Sequence, residues 1–257
     1  MSKRKRNGHH NDEIEQLTRA LARNGAAIAE GPRRKKWTLH DLKTIKPLTV
    51  AQEEMFHDWF AGQNIIAAGS AGTGKTFIAL YLALNEILHS EAPQKRIVIV
   101  RSAVPTREVG FIPGTLEEKI ALYELPYHEI FHQLLGRYSS YEDMKRAGFV
   151  EFITTSYIRG LTWDNSIVIV DEGQNMNWHE VNSVMTRVGE NTRIIFTGDL
   201  PQSDLIKSSR DSTGMSRLVK VAREMPKSFT VVTFTPHDIV RSEFVKQWIV
   251  ASENVPS

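Results

Sequence analysis

The sequence predicts an α/β domain on a mostly parallel sheet with helices on both faces, preceded by a basic N-terminal arm with a short helix. Three observations carry this. Six short apolar runs (Asn64–Ala68, Arg96–Val100, Val150–Thr154, Ser166–Val170, Arg193–Thr197 and Phe229–Thr233) are continuous rather than alternating, as strands buried on both faces are. Helical patterns separate them. A glycine-rich loop joins the first run to a long helical pattern. The length of 257 residues, 41% apolar and 24% charged, suits one ordinary domain with a full core plus appended segments.

Taken in order, the chain opens with the arm. Of 32 Lys+Arg and 30 Asp+Glu, residues 1–46 hold 12 and 5, a net of +7, which leaves 20 and 25, a net of −5, for residues 47–257. The runs Lys3–Arg6 and Arg33–Lys36 fit an electrostatic grip on polyphosphate, since each phosphate contact releases condensed counterions; a solvated tail is the plainer alternative. Asp12 and Glu15 have capping-box spacing, and Ile14, Leu17, Leu21 and Ile28 follow at helical intervals, so a short amphipathic helix is expected, ending near Gly31-Pro32. Composition turns globular at Pro47, which places the boundary between an extension, residues 1–46, and the domain, residues 47–257. Thr49 to Ala61 is helix-like, a long helix should run to Leu88, and Gly114 to Gly148 should form an inserted helical pair interrupted at Pro126. No stretch approaches the eighteen apolar residues of a membrane span and no secretory signal is visible, so a cytoplasmic location is expected. The absence of cysteine excludes disulfides, thiol chemistry and Cys-bound metal.

The loop Gly69, Ser70, Ala71, Gly72, Thr73, Gly74, Lys75, Thr76 matches G-x-x-x-x-G-K-[ST] and stands between a strand and a helix, where a phosphate-binding loop belongs. Glycines let backbone N–H groups converge on phosphates, and the helix N-terminus adds its positive end. Lys75 would neutralise the β- and γ-phosphates of ATP, and Thr76 would place its hydroxyl on Mg2+. Asp171 and Glu172 end the fourth apolar run: Asp171 would hold the magnesium through water, and Glu172 would orient and deprotonate an attacking water. A small-molecule kinase must keep water out and has no use for that second acid. A hydrolase needs it. After the fifth run, Thr197-Gly-Asp199-Leu-Pro-Gln202 forms a polar turn from which Gln202 would sense the γ-phosphate.

Together with Arg101-Ser-Ala-Val-Pro105, Gly110-Phe-Ile-Pro-Gly114, Leu116-Glu-Glu-Lys119 and Asp238-Ile-Val-Arg241, these blocks resemble the PhoH-like family of P-loop ATPases over roughly residues 45–250. The resemblance implies a single RecA-like domain, similar to the first motor domain of superfamily 1 helicases. It also implies that Gln52 reads adenine and that Arg241 acts on the γ-phosphate, with Arg210 and Arg217 as rivals in the same stretch. Ser102 departs from the family's usual Arg-Pro. The function it implies is Mg2+-dependent ATP hydrolysis coupled to binding or translocation on single-stranded nucleic acid, with RNA favoured and with Arg101 and Arg107 as candidate phosphate contacts. The alternative is an ATP-controlled switch that binds nucleic acid or protein without unwinding. Because the domain has room for one sheet only, a neighbouring subunit is expected to supply the arginine, in a ring-forming homo-oligomer; resemblance to similar ATPases implies a hexamer. One competing motif stands apart: His128-Glu-Ile-Phe-His132 matches the zinc-peptidase H-E-x-x-H, but follows Pro126 and lacks an evident third ligand.

Overall fold

The computed structural model describes residues 37–102, 116–200 and 214–254. The predicted N-terminal helix and the basic runs of the arm lie outside them, as do Arg107, Gln202 and Arg210. Within this span the elements are α1 (Val50–Phe60), β1 (Asn64–Gly69), α2 (Lys75–Ile87), β2 (Arg96–Arg101), α3 (Leu116–Leu135), α4 (Ser140–Arg146), β3 (Val150–Thr154), β4 (Ser166–Asp171), α5 (Trp178–Met185), β5 (Arg193–Asp199), α6 (Gly214–Arg223), β6 (Phe229–Phe234) and α7 (Glu243–Asn254). Each apolar run is a strand. All six strands pair in parallel, in the order β3-β2-β4-β5-β1-β6.

Successive side chains on a strand point to opposite faces, and this alternation divides the core in two. Ile65, Ala67, Ile97, Ile99, Ile167, Ile169 and Ile195 pack with α1 to α4, whereas Ile66, Ala68, Val98, Val100, Val168, Val170 and Phe196 pack with α5 and α6. Burial on both faces is why the runs are continuously apolar. The core also takes in residues ahead of Pro47: Trp37 and Leu42 are buried, and the Lys43 amide donates to the Leu134 carbonyl at 2.9 Å.

The region from Gly114 to Gly148 differs from expectation in one respect. Pro126 does not interrupt the pair; α3 runs through it for 20 residues. Proline removes one amide donor, which frees the carbonyl four residues earlier. Here Leu122, Leu125 and Pro126 are all exposed, so water can solvate that carbonyl while Tyr127, Phe131 and Leu134 hold the helix to the core. Among the described residues, no helix is long and apolar enough to cross a membrane.

Candidate nucleotide site

At the end of β1 the chain turns into the loop at Gly69, whose φ is +136°. A Cβ there would lie 1.9 Å from the Phe234 carbonyl oxygen in β6, the same oxygen that accepts the Ser70 amide at 3.0 Å. Only glycine permits that approach. Gly72 and Gly74 also have left-handed φ, and Gly74 caps the N-terminus of α2. The Thr73 hydroxyl donates to the Ser70 carbonyl at 3.1 Å, closing the loop on itself. Gln52, only 2% exposed, braces the loop from α1: its Nε2 donates to the Thr73 carbonyl at 3.0 Å, and its Oε1 accepts the Leu48 amide at 2.9 Å. The adenine-reading glutamine of the sequence thus spends both ends of its amide on its own chain. The Lys75 ammonium donates to the Ser70 carbonyl at 2.6 Å and pairs with Asp199 at 2.9 Å.

The sheet order separates β1 from β4 by one strand, β5; Asp171 ends β4 and Glu172 follows it in the turn. Asp171 is 5% exposed and accepts three hydroxyls: Thr76 and Thr197 on Oδ1, each at 2.7 Å, and Tyr127 on Oδ2 at 2.8 Å. Burial, and after it the Asp171 charge, push the Tyr127 phenol far above its ordinary range, so it stays a donor. Glu172 adopts a left-handed backbone, φ 55° and ψ 42°, which costs a non-glycine residue roughly 1–3 kcal/mol. Its carboxylate has two polar neighbours among the described residues. Gln174 Nε2 donates to it at 2.5 Å while Gln174 Oε1 accepts the Asp199 amide at 2.9 Å, and Arg101 stands 3.8 Å away on the other side. Burial and then the Asp171 charge raise the Glu172 pKa, against the lowering influence of Arg101 and Gln174, so the group is a stronger base than a free glutamate.

The oxygens gathered here fit a hard divalent cation. One hydroxyl and one buried carboxylate, from Thr76 and Asp171, stand at the mouth of an amide-lined loop, and Mg2+ takes such a small protein share and completes its octahedron with phosphate and water.

A family model described as PhoH-like protein matches residues 44–253. The chain belongs to the PhoH-like family. It is 33% identical over 213 residues to the PhoH-like protein of Bacillus subtilis (strain 168), covering 81% of this chain and 64% of that one. To the protein PhoH of Escherichia coli (strain K12) it is 30% identical over 247 residues, covering 94% and 67%. The chain therefore spans less than two thirds of the Bacillus subtilis relative's length. Among solved structures, the HK97 bacteriophage large terminase is similar at a TM-score of 0.47 and 10% identity, over 87% of this chain and 50% of that one.

Other residues of this PhoH-like domain fall where the sequence leaves them open or contrary to it. Arg241 stands beside its own loop: a Cβ on Gly72 would touch the Arg241 Cγ at 3.2 Å, and the Val240 amide donates to the Gly72 carbonyl at 3.1 Å. Arg241 thus packs against the phosphate-binding loop of its own chain. Its rival Arg217 is stacked over the Trp178 ring at 4.2 Å. Arg101, expected to touch a polymer, turns inward to Glu172 over the Tyr123 ring. Ser102, the departure from the family pattern, donates to Glu180 at 2.8 Å; Thr155 donates to the same oxygen at 2.7 Å, so the ends of β2 and β3 are tied to α5. A proline at 102 has no such donor. The H-E-x-x-H pair has other partners: His128 faces Glu142 at 3.4 Å and His132 stacks on Tyr138. Among the described residues, no cluster of three His, Cys, Asp or Glu side chains could hold a metal.

The sequence did not single out Tyr127, Tyr123, Thr197, Gln174 or Asp199 for these contacts. Thr197 and Asp199 lie inside the polar turn after the fifth run and Gln174 stands two residues past Glu172, so position after a buried strand was the available signal; the two tyrosines carried none.

Proposed function

We propose that this chain is a Mg2+-dependent ATPase coupled to binding or translocation on single-stranded nucleic acid, with RNA favoured, working in the cytoplasm. The observation that carries the hydrolytic part is the pair of acids at the end of β4 and just past it, Asp171 bonded to Thr76 at the loop and Glu172 held by Gln174 with a raised pKa. A phosphate-transfer enzyme that excludes water needs only the first. The loop amides and Lys75 would hold the β- and γ-phosphates, and Thr76 and Asp171 would hold the metal. When bound, Mg2+ neutralises charge on the phosphate oxygens. Glu172 accepts the proton of the water that attacks the γ-phosphorus as the bond to ADP breaks, and Gln174 fixes the carboxylate for that task. In this reading Gln202 senses the γ-phosphate and Arg241 steadies its developing charge from within the same chain.

RNA follows from the family resemblance, and the basic arm of residues 1–46 supplies the grip on the polymer. A ring of six subunits would supply the second surface that a single sheet lacks, and the exposed Phe244 and Trp248 of α7 offer apolar contact area for it. Phosphate release measured without polymer, with single-stranded RNA, with single-stranded DNA and with duplex tests the reading. Single strands are expected to stimulate, and Lys75→Ala to abolish, the release; equal rates in all four conditions would refute the coupling. Stimulation without strand displacement on any tailed duplex would favour the non-unwinding switch. A monomer at micromolar concentration would refute the ring.

A further inference from the structure

The helical pair α3 and α4 is more than an insertion beside the motor. Two tyrosines one turn apart on α3, Tyr123 and Tyr127, address the two acids of β4. Tyr127 reaches Asp171 directly. Its ring is fully buried, 5.8 Å from Phe152 of β3 and 6.4 Å from Tyr141 of α4 between centroids, so the hydroxyl is fixed by the core and not by the carboxylate it meets. Tyr123 reaches Glu172 through Arg101, whose guanidinium lies 5.7 Å from the ring centroid and 3.8 Å from the carboxylate. Arg101 ends β2 in register with Asp171, so the residue that faces Glu172 stands across from the acid that precedes it.

We propose that Tyr127 and Tyr123 are positioning residues for the ATPase site: Tyr127 fixes the rotation of the Asp171 carboxylate, and Tyr123 backs Arg101 so that it restrains Glu172. Asp171 has two oxygens with different duties. Oδ1 serves Thr76 and Thr197, while Oδ2 is held by Tyr127 alone among the described side chains. With Oδ2 pinned, Oδ1 stays turned towards Thr76, the edge that metal must use. Without the phenol, the carboxylate can rotate about its last bond and metal binding loses orientation. Because both contacts come from one helix, a shift of α3 moves both acids together. The inserted pair is thereby part of the hydrolytic apparatus.

This inference rests on the nucleotide reading above, and its test separates the two. ADP binding is followed by calorimetry with and without Mg2+, together with steady-state ATP hydrolysis, in the wild type, Tyr127→Phe and Tyr141→Phe. Tyr141 is the control: it donates a buried hydroxyl to Glu124 at 3.1 Å within the same helical pair and does not touch the acids. Tyr127→Phe should weaken Mg·ADP about tenfold while metal-free ADP binds as before, and should lower kcat/KM for Mg·ATP at least about tenfold, with KM rising in step with the loss of Mg·ADP affinity. Tyr141→Phe should change neither. If the two variants behave alike, or if Tyr127→Phe weakens metal-free ADP equally, the positioning role is overturned. A wild type that gains no ADP affinity from Mg2+ would overturn the nucleotide reading itself. Tyr123→Leu, at a half-buried position, reads the second arm even if Tyr127→Phe does not fold: kcat should fall about threefold with Mg·ADP affinity retained, and an unchanged kcat would overturn that arm.

Discussion

Gln52→Ala separates two roles that one glutamine cannot fill equally. The substitution removes an acceptor from the Leu48 amide and a donor from the Thr73 carbonyl. Leu48 is 76% exposed, so water replaces the lost partner and the net cost is about 0.5–1.5 kcal/mol. Thr73 is fully buried, so its carbonyl is left orphaned at about 1–3 kcal/mol. The two together amount to about 1.5–4.5 kcal/mol, or a fall in melting temperature of about 3–18 °C for a domain of this size. A loop released from α1 must also be reordered when phosphates bind, and that ordering should weaken Mg·ADP about three- to tenfold. The phosphates are common to all nucleotides. Mg·GDP should therefore weaken by the same factor, leaving the ratio of the two affinities unchanged within about twofold in paired titrations of wild type and variant. If adenine affinity alone falls and guanine affinity does not, Gln52 reads the base and the bracing argument is refuted.

Three further outcomes follow from the same geometry. Glu172→Gln keeps the side-chain volume and removes the base, so phosphate release should fall about 10²- to 10⁴-fold while nucleotide affinity in calorimetry holds; retained turnover would remove Glu172 from the reaction. Gly69→Ala puts a methyl 1.9 Å from the Phe234 carbonyl at a φ of +136°, and should cost at least about 3 kcal/mol in denaturant unfolding together with loss of nucleotide binding. Asp238 joins Thr235 to the start of α1. Burial raises its carboxyl, but the Thr235 amide and hydroxyl, Thr49 and the Ala51 amide outweigh burial and hold it below its ordinary 3.8. A depressed carboxyl stabilises the fold above its unfolded pKa and loses that contribution as pH falls through the folded value. Melting temperatures should decline below about pH 4 for the wild type, with part of that decline missing in Asp238→Asn.

The sheet was legible because its strands are buried on both faces, a condition that writes itself along the chain as continuous runs such as Ser166–Val170. The loop was legible for a different reason: Gly69, Gly72 and Gly74 each meet a backbone or steric demand that only glycine satisfies, at fixed spacing. Pro126 misled because the cost of a proline inside a helix falls where its freed carbonyl can be solvated, and exposure at Leu122 is a tertiary fact. Tyr127 was invisible for the same kind of reason. It stands 44 residues before Asp171, on a different element, and nothing local marks a buried phenol as a partner to a carboxylate. The position of Arg241 also depends on how the turn after β6 is bonded to Gly72, which no motif records.

Strand order also governs when the loop can come into being. The strand that carries it, β1, has only β5 and β6 as neighbours, and Ile194, whose amide is held by Asn64, lies 130 residues further along the chain. A ribosome has therefore emitted the run Ile65–Ala68 long before either edge of it can be paired. During that interval an apolar strand with two open edges is available to any other nascent segment, as slow, non-local parallel pairing entails. Ligand affinity consequently arises late in synthesis, after β6 has emerged, and shortened products that stop before Phe229 should be clients for chaperones and not weak binders of nucleotide.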